Sequence, residues 1–558
     1  MKLSGAEIII KLLERQGIST IAGIPGGANL PMYDALGKSE QIQHILTRHE
    51  QGAGFIAQGM ARVTGKPAVF FATSGPGATN TLTAIADAKL DSIPIICITG
   101  QVPLNMIGTD AFQEVDTYGL SVPITKHNYL VRSIEELFDV IPSAFRVACS
   151  GRPGPVVVDI PKDVQTAMYE FESWPELGCR NDCTEVLGAE VRKAAKMMNE
   201  AQNPVLYLGG GVIQSGASEQ AVQMAEIGNM PTATSLMGLG VIPSSHPLNL
   251  GMLGMHAARY TNMALEQCDL LIAVGVRFDD RATGKVAEFC PQAKIIHIDI
   301  DPSELDKIKT AHASVTGDIA EVLKSLIPML KSQDRSNWLD QIDSLKKEHP
   351  MIIPGADNAT SPYGVICKAA ELAGDDVIVC TDVGQHQMRT AQAYPFTKPR
   401  RWLTSGGLGT MGFGVPAAIG AALASPESTV LCFTGDGSIM MNIQDLATAM
   451  ENDVNIKIIL TNNNALGLVR QQQDLFYGKR YYASNYQKQV DFVTIAKGFG
   501  IATYDFAGQG NPEEMLAEAL RKRGPALIHV PISADEPVYP MVPPGAANSE
   551  MIGGENHA

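Results

Sequence analysis

The stretch "VLCFTGDGSIMMN" occupies residues 430–442. Its apolar opening, Val430 to Phe433, reads as a buried strand of a parallel sheet. The strand runs straight into Gly435-Asp436-Gly437. A carboxylate at the end of such a strand is costly to desolvate unless something pairs with it. After it come 24 residues, Ser438 to Thr461, and then Asn462-Asn463. That interval fits one helix ("IQDLATAMEND") and the next strand ("NIKIILT"), so Asp436 and Asn463 are expected at the ends of neighbouring strands. One carboxylate and one amide oxygen are hard ligands. A backbone carbonyl, a water and two phosphate oxygens would complete an octahedral shell for Mg²⁺. The rival reading of "GDG" is an Asx turn. The paired asparagines at that interval favour the metal.

Working outward, the same pattern recurs. Short apolar strands alternate with helical stretches throughout 558 residues, which is the α/β pattern, in a chain too long for one core. "PAVFFATSGPGATN", "PIICITGQ" and "PVVVDIPKD" belong to a first unit; "PVLYLGGGVIQSG", "LLIAVGVRFDDR" and "KIIHIDIDP" to a second; "DVIVCTDVGQHQ", "TVLCFTGDGS", "IKIILTNNNALG" and "PALIHVPI" to a third. Polar, patternless stretches at 174–188 and roughly 331–360 read as linkers. The first and third units share a style, strand then glycine turn then a helix of small residues, which hints at duplication.

Composition removes several function classes. Net charge is −16, charged residues are 18% and no Lys/Arg block stands out, which argues against a nucleic-acid or anionic-membrane surface. "MKLSGAEIIIKLLERQG" is an amphipathic helix, neither signal peptide nor membrane span, and no later apolar run is long enough to span. Nine dispersed cysteines, with Cys179 and Cys183 lacking zinc spacing, read as reduced thiols in a cytoplasmic protein. "GLGTMG", 407–412, satisfies G-x-G-x-x-G, but "RWLTSG" is a poor strand and Glu427 falls in a turn, so a dinucleotide fingerprint is rejected.

Glu50, in "RHEQGAGFIAQGMAR", starts an apolar helix rich in glycine and alanine. Its surroundings should be poor in water, which keeps a proton available to share. The rival reading is a solvated helix-start glutamate.

Gly435-Asp436-Gly437 with Asn462-Asn463, "RHEQ", and the run from "GIPGG" to "YPMVPPGAA" resemble the thiamine-diphosphate-dependent enzymes over the full length. Within them the chain is most similar to the catalytic large subunit of acetohydroxyacid (acetolactate) synthase, of the bacterial isozyme I kind. The resemblance implies three doubly wound parallel-sheet domains. They are a pyrimidine-binding domain (1–165), a central FAD domain (188–332) and a diphosphate/Mg²⁺ domain (360–540), with a C-terminal tail (541–558).

It also implies roles. Glu50 would share a proton with the cofactor's pyrimidine nitrogen, with Gly26, Pro76 and Asn80 nearby. Gly384, Gln385, His386, Gly435, Gly437 and Ser438 would surround the diphosphate; Gly409 and Met411 would line the thiamine, Met411 as an apolar wedge. Phe112, Gln113 and Lys126 would stand at the substrate mouth. The FAD site would draw on Arg152, Gly210, Gly211, Leu236, Met237, Gly254, Met255, His256, Gly275, Arg277, Asp279, Arg281, Asp299, Ile300 and Asp318. Because Glu50 and Asp436 lie in different domains, the family places them on one cofactor from two chains: a homodimer with shared sites, or a tetramer of such dimers, with a small regulatory subunit.

The implied reaction is decarboxylation of pyruvate and condensation of the remaining two-carbon unit with a second pyruvate or with 2-ketobutyrate. The products are 2-acetolactate or 2-aceto-2-hydroxybutyrate, which feed branched-chain amino-acid synthesis. The alternative is a pyruvate oxidase-like thiamine flavoenzyme. One departure stands out. The family's G-M-V-x-Q-W-Q is here "GLVRQQQ", 467–473, so Gln472 replaces tryptophan beside Leu468 in the pocket for the second keto acid.

Overall fold

The computed structural model describes residues 1–178 and 188–554. Most of the linker expected at 174–188, with Cys179 and Cys183, lies outside them, as do the last four residues of the expected tail. Each unit is built on a six-stranded, wholly parallel sheet. Central strands such as Ala68–Ala72, Leu270–Val274 and Val377–Thr381 are buried along their whole length. Helices cover both faces, so apolar residues are wanted on both: Phe70 packs into one core and Phe71 into the other.

Strand order explains where ligands can go. Numbered within its own unit, the first and third sheets share the order 2-1-3-4-6-5, and the central sheet has 3-2-1-4-5-6. In open parallel sheets the ligand crevice forms at the carboxyl ends where this order reverses. In the first sheet that point lies between Thr20–Gly23 and Ala68–Ala72. In the central sheet it lies between Pro204–Leu208 and Leu270–Val274, and in the third between Val377–Thr381 and Thr429–Gly435.

Three differences from the sequence reading concern boundaries. The first unit continues past 165, because Met168–Glu170 pairs antiparallel with Lys2–Ser4 and Phe171 joins its core. The stretch expected to be irregular holds the helix Ser336–Glu348. Its Trp338, Ile342 and Leu345 recur at helical spacing and pack on the central domain, and the Trp338 indole donates to Pro204 O at 3.0 Å. The tail does not trail: the described part folds back, with Met541 and Ile552 bridged and Val542 N–H donating to Met255 O at 2.8 Å.

The first and third domains share one core. Helix Glu50–Thr64 crosses helix Gly414–Ala424 with almost nothing between the backbones. A Cβ on Gly59 would sit 2.1 Å from Ala417 O, and one on Gly420 would sit 2.0 Å from Ile56 O. At the far end of the crossing, Arg62 pairs with Asp91 at 2.8 Å and with Asp87 at 3.6 Å. Both acids then reach into the third domain. Asp91 accepts the N–H groups of Gly406 (3.0 Å) and Gly407 (2.7 Å), and Asp87 accepts the Ser405 and Thr410 hydroxyls.

Gly-to-Ala in a helix ordinarily stabilises by about 0.5–1 kcal/mol. At Gly420 the sign should reverse, with a cost of about 1–3 kcal/mol from overpacking at the crossing. Denaturant unfolding of Gly420→Ala measures this; stabilisation would show that the helices are not in backbone contact.

Candidate functional site

At the reversal point of the third sheet, Asp436 is buried. Its Oδ1 accepts from Gly437 N–H at 3.0 Å and its Oδ2 from Ala465 N–H at 3.1 Å. Asn463 Oδ1 accepts from the same Ala465 N–H at 3.1 Å, so the two side chains expected to be neighbours meet on one amide. Desolvation pushes the Asp436 carboxyl up to about 6, the state that a cation would reverse. Among the described residues no three His, Cys, Asp or Glu gather as a metal cluster. One carboxylate flanked by amide and backbone oxygens suits a hard cation such as Mg²⁺.

The surroundings form a cradle. A Cβ on Gly437 would lie 2.7 Å from Leu466 Cδ2 and from Tyr486 Oη, and one on Gly467 would lie 2.4 Å from Gln385 Oε1. The His386 ring stands against Gly435, at 3.0 Å from where a Cβ would be. Burial pushes His386 down to about 3, and its Nε2 is buried with no hydrogen-bond partner. An imidazole nitrogen left orphaned between glycine turns is a group that a bound ligand would satisfy, as donor or acceptor according to the ring's tautomer. Gly384 precedes the helix Gln385–Ala393, and Ser438 Oγ donates to Val383 O at 2.8 Å.

Met411 reaches this cradle: its Cε is 3.5 Å from the Gly437 Cβ position. Gly409 and Gly412, at φ +70° and +91°, turn the chain on either side of it. Asp382, which the sequence reading passed over inside "TDVGQHQM", holds this loop by accepting from Val383, Gly412 and Gly414 N–H at 2.9, 2.8 and 3.2 Å. The "GLGTMG" amides a dinucleotide would need are partly taken by Asp91, and the strand before them is only Trp402–Leu403.

The first sheet's reversal point gathers a second cluster. His49 caps the helix that Glu50 begins, its Nδ1 accepting Gln51 N–H at 3.1 Å. Asn80 Nδ2 donates to Glu50 Oε2 at 2.9 Å. Gly77 and Gly26 both back onto the Thr73 side chain, and Pro76 opens the short helix Pro76–Asn80 that contains Gly77. Glu50 is half-buried, so its own chain does not supply the dry environment expected from the sequence. Among the described residues no hydrogen bond or ion pair connects Glu50 with the Asp436 cluster: helix Glu50–Thr64 packs against the third domain, and the Glu50 carboxylate lies beside the first-domain groups Asn80 and Gly77.

The residues expected at the substrate mouth are dispersed. Gln113, at φ +59°, lies over the Gly75 turn, and Phe112 is 87% exposed. The Lys126 ammonium donates to Val147 O and Ser150 O at the end of helix Leu137–Cys149. In helix Gly467–Phe476 the inward residue is Gln471, which the sequence reading did not single out. It accepts from Gln385 Nε2 (3.0 Å) and Val538 N–H (2.9 Å). Gln472 is exposed, one helical turn after half-buried Leu468.

The central sheet's reversal point carries the third group. Gly211 N–H donates to Gly275 O at 3.1 Å, and a Cβ on Gly211 would lie 2.7 Å from Gly275 Cα; Gly210 abuts Met237, next to Leu236. Gly254 turns at φ +96° against Arg281 O, which also accepts Met255 N–H at 2.9 Å. His256 is buried, pushed down to about 4 by burial, and contacts Pro540 O at 3.0 Å. It and Thr234, whose hydroxyl is buried without a partner, line a cavity of about 110 Å³.

The expected acids are largely used within the chain. Asp279 caps the helix Asp280–Thr283, between Arg277 and Arg281 in sequence. Asp318 caps the helix Ile319–Leu326. Asp299, raised to about 6 by burial, accepts from Asp301 N–H across Ile300. Arg152 does cross from the first domain, pairing with Glu304 at 2.8 Å and Asp301 at 3.3 Å.

Family models match all three domains. The N-terminal TPP binding domain of thiamine pyrophosphate enzymes matches residues 3–120, their central domain 191–326 and their C-terminal TPP binding domain 382–530. The acetolactate synthase isozyme 1 large subunit of Escherichia coli K12 is 60% identical over 552 residues, 99% of this chain and 98% of the relative. The isozyme 2 large subunit of the same organism is 47% identical over 550 residues, 99% of each chain. An acetolactate synthase of Mycobacterium bovis is 46% identical over 565 residues, 99% of this chain and 91% of the relative. With its three sheets, its paired Asp436 and Asn463 and full-length identity of this order, the chain belongs to the acetolactate synthase large-subunit family of thiamine pyrophosphate enzymes.

Proposed function

We propose that this chain condenses two 2-keto acids with loss of CO₂, making 2-acetolactate from pyruvate and 2-aceto-2-hydroxybutyrate from pyruvate and 2-ketobutyrate. The observation that carries the reading is the meeting of Asp436 and Asn463 on Ala465 N–H, beside the orphaned His386 nitrogen and the Met411 side chain. Asp436, Asn463 and the Ala465 carbonyl would hold Mg²⁺. Gly384, Gln385, His386, Gly435, Gly437 and Ser438 would surround a diphosphate. Thiamine diphosphate, when bound, supplies the electron sink that lets a 2-keto acid lose CO₂. Met411 would press on its rings, with Gly409 giving the loop its turn. Glu50 would hold a proton at the pyrimidine nitrogen, steadied by Asn80. Gln113, Phe112 and Lys126 would orient and enclose the keto acids.

Glu50 is half-open in one chain, and large apolar side chains such as Phe112 and Tyr482 are 87% and 86% exposed. Both features support a homodimer in which each site takes Glu50 from one chain and Asp436 from the other. FAD would sit at the central reversal point. Acetolactate formation moves no net electrons, so the flavin would be structural. A small regulatory subunit and a cytoplasmic setting complete the proposal; no helix among the described residues is long and apolar enough to cross a membrane. Product analysis with pyruvate, thiamine diphosphate, Mg²⁺ and FAD tests the reading. Acetolactate is expected, whereas flavin bleaching by pyruvate at the turnover rate would mark an oxidase.

Asp436→Ala should lose Mg²⁺-dependent thiamine diphosphate binding and keep its flavin. Retained thiamine with full activity would remove the metal assignment. Glu50→Gln and Asp436→Ala chains, each inactive alone, should regain activity when mixed, from one intact site per heterodimer. Isolated heterodimers without activity would place Glu50 and Asp436 on the same chain's site or on none.

Tryptophan at 472 would add a broad apolar face for the extra methylene of 2-ketobutyrate, a feature worth about 1–3 kcal/mol, or roughly 10–200-fold. With glutamine there, the unmodified chain should show little 2-ketobutyrate preference, and Gln472→Trp should raise it. Product ratios from mixed keto acids measure both; a strong preference in the unmodified chain would mean that Gln472 faces solvent in the assembled site too.

A further inference from the structure

Behind the Asp436–Asn463 pair runs a line of polar side chains that no role above uses. Asn462 closes the strand Ile456–Asn462, so it directly precedes Asn463. Its Oδ1 accepts Asn464 N–H at 3.2 Å, and its Nδ2 lies 3.0 Å from His529 Nε2. His529 Nδ1 in turn lies 2.8 Å from Asp505 Oδ1. The three residues stand on three consecutive strands at the carboxyl edge of the sheet, with Asp505 and His529 in register. Their polarity is determined. A carboxylate can only accept, so an imidazole proton sits on Nδ1; in the neutral ring Nε2 then accepts the Asn462 amide N–H, in keeping with Asn462 Oδ1 accepting from Asn464.

What the line steadies is an unusual turn. Asn464 is at φ +54°, in the left-handed region that asparagine tolerates and most residues avoid. Its N–H is held by Asn462 and its side-chain Nδ2 by Tyr486 O at 3.1 Å. Asn463 and Ala465, on either side of it, are the residues that would face the cation. We infer that Asp505, His529 and Asn462 are positioning residues for the metal loop. They fix the amide of Asn462, through it the left-handed turn at Asn464, and so the aim of Asn463 and Ala465 at the ion beside Asp436. None touches substrate. Their effect is on cation affinity. The inference rests on the metal reading of Asp436 and Asn463.

The test uses the full chain with thiamine diphosphate and Mn²⁺ as the probe, free Mn²⁺ being counted by electron paramagnetic resonance. His529→Phe removes both ring nitrogens and should weaken Mn²⁺ binding by about 10–100-fold, the range for groups that orient metal ligands. His529→Gln can place its carbonyl oxygen near the Nε2 position and accept from Asn462, so it should recover most of the affinity; the shorter His529→Asn should not. Asp505→Ala, at the exposed end of the line, should weaken binding less than His529→Phe and serves if that variant does not fold. Mn²⁺ affinity within two-fold of the unmodified chain in His529→Phe, or in Asp505→Ala where His529→Phe does not fold, overturns the inference, as does a His529→Gln variant no better than His529→Phe. Asp436→Ala distinguishes the two levels. If it keeps Mn²⁺, the metal reading itself fails. If it loses Mn²⁺ while the His529 and Asp505 variants keep it, only the positioning role fails.

Discussion

The contact on which the rest of the architecture depends is a backbone-to-backbone crossing. Helices Glu50–Thr64 and Gly414–Ala424 touch through Gly59 and Gly420, where no side chain fits. The crossing welds the first and third domains of a chain into one core. It also fixes the direction of Glu50, which starts one of the two helices and bonds to Asn80 of the first domain. At the other end the buried Arg62–Asp91 pair and Asp87 hold the loop leading to Met411. Burying an ion pair is costly; here both Asp91 oxygens and Asp87 Oδ1 accept the loop's own N–H and hydroxyl groups, while Arg62 Nε and Asp87 Oδ2 are left without a hydrogen-bond partner. Chain packing and loop shape are thus one problem solved together.

A second regularity is the use of one edge rule three times. Each sheet has a crevice where its strand order reverses beside its first strand, and each has glycines near that edge where a side chain would collide: Gly26 and Gly77, Gly211 and Gly275, Gly437 and Gly467. The chemistry then differs by what the strand ends carry. The third sheet offers a carboxylate made uncomfortable by burial and an imidazole kept neutral by it. The central sheet offers glycine turns and a cavity, its acids being used as helix caps.

Much of this was legible in the sequence because the signals are local. Apolar runs ending in glycine and an acid mark strand ends, and the interval from Asp436 to Asn463 is the length of one helix and one strand. What escaped the reading depended on the third dimension. Asp87, Asp91 and Arg62 are ordinary helical residues until a second domain arrives beside them. Gln471 and Gln472 cannot be told apart by composition, and only the helix phase turns one inward and the other to solvent. The helix Ser336–Glu348 was hidden by its polarity, since four apolar residues in thirteen suffice for a helix that lies on a domain already formed.

The returning C-terminal segment has a consequence for how the molecule is made. Val542 bonds to Met255, Pro540 O meets His256, and Met551 and Val542 pack on Ala257, so a segment translated after the third domain covers a part of the second. A growing chain can finish its first sheet early, but the wall around Met255 to Ala257 stays open until residues 540–551 have been made. Whatever the central domain encloses is therefore sealed in only after the third domain has been made, and loss of residues 540–551 would be felt first in that middle layer, far along the sequence from the cut.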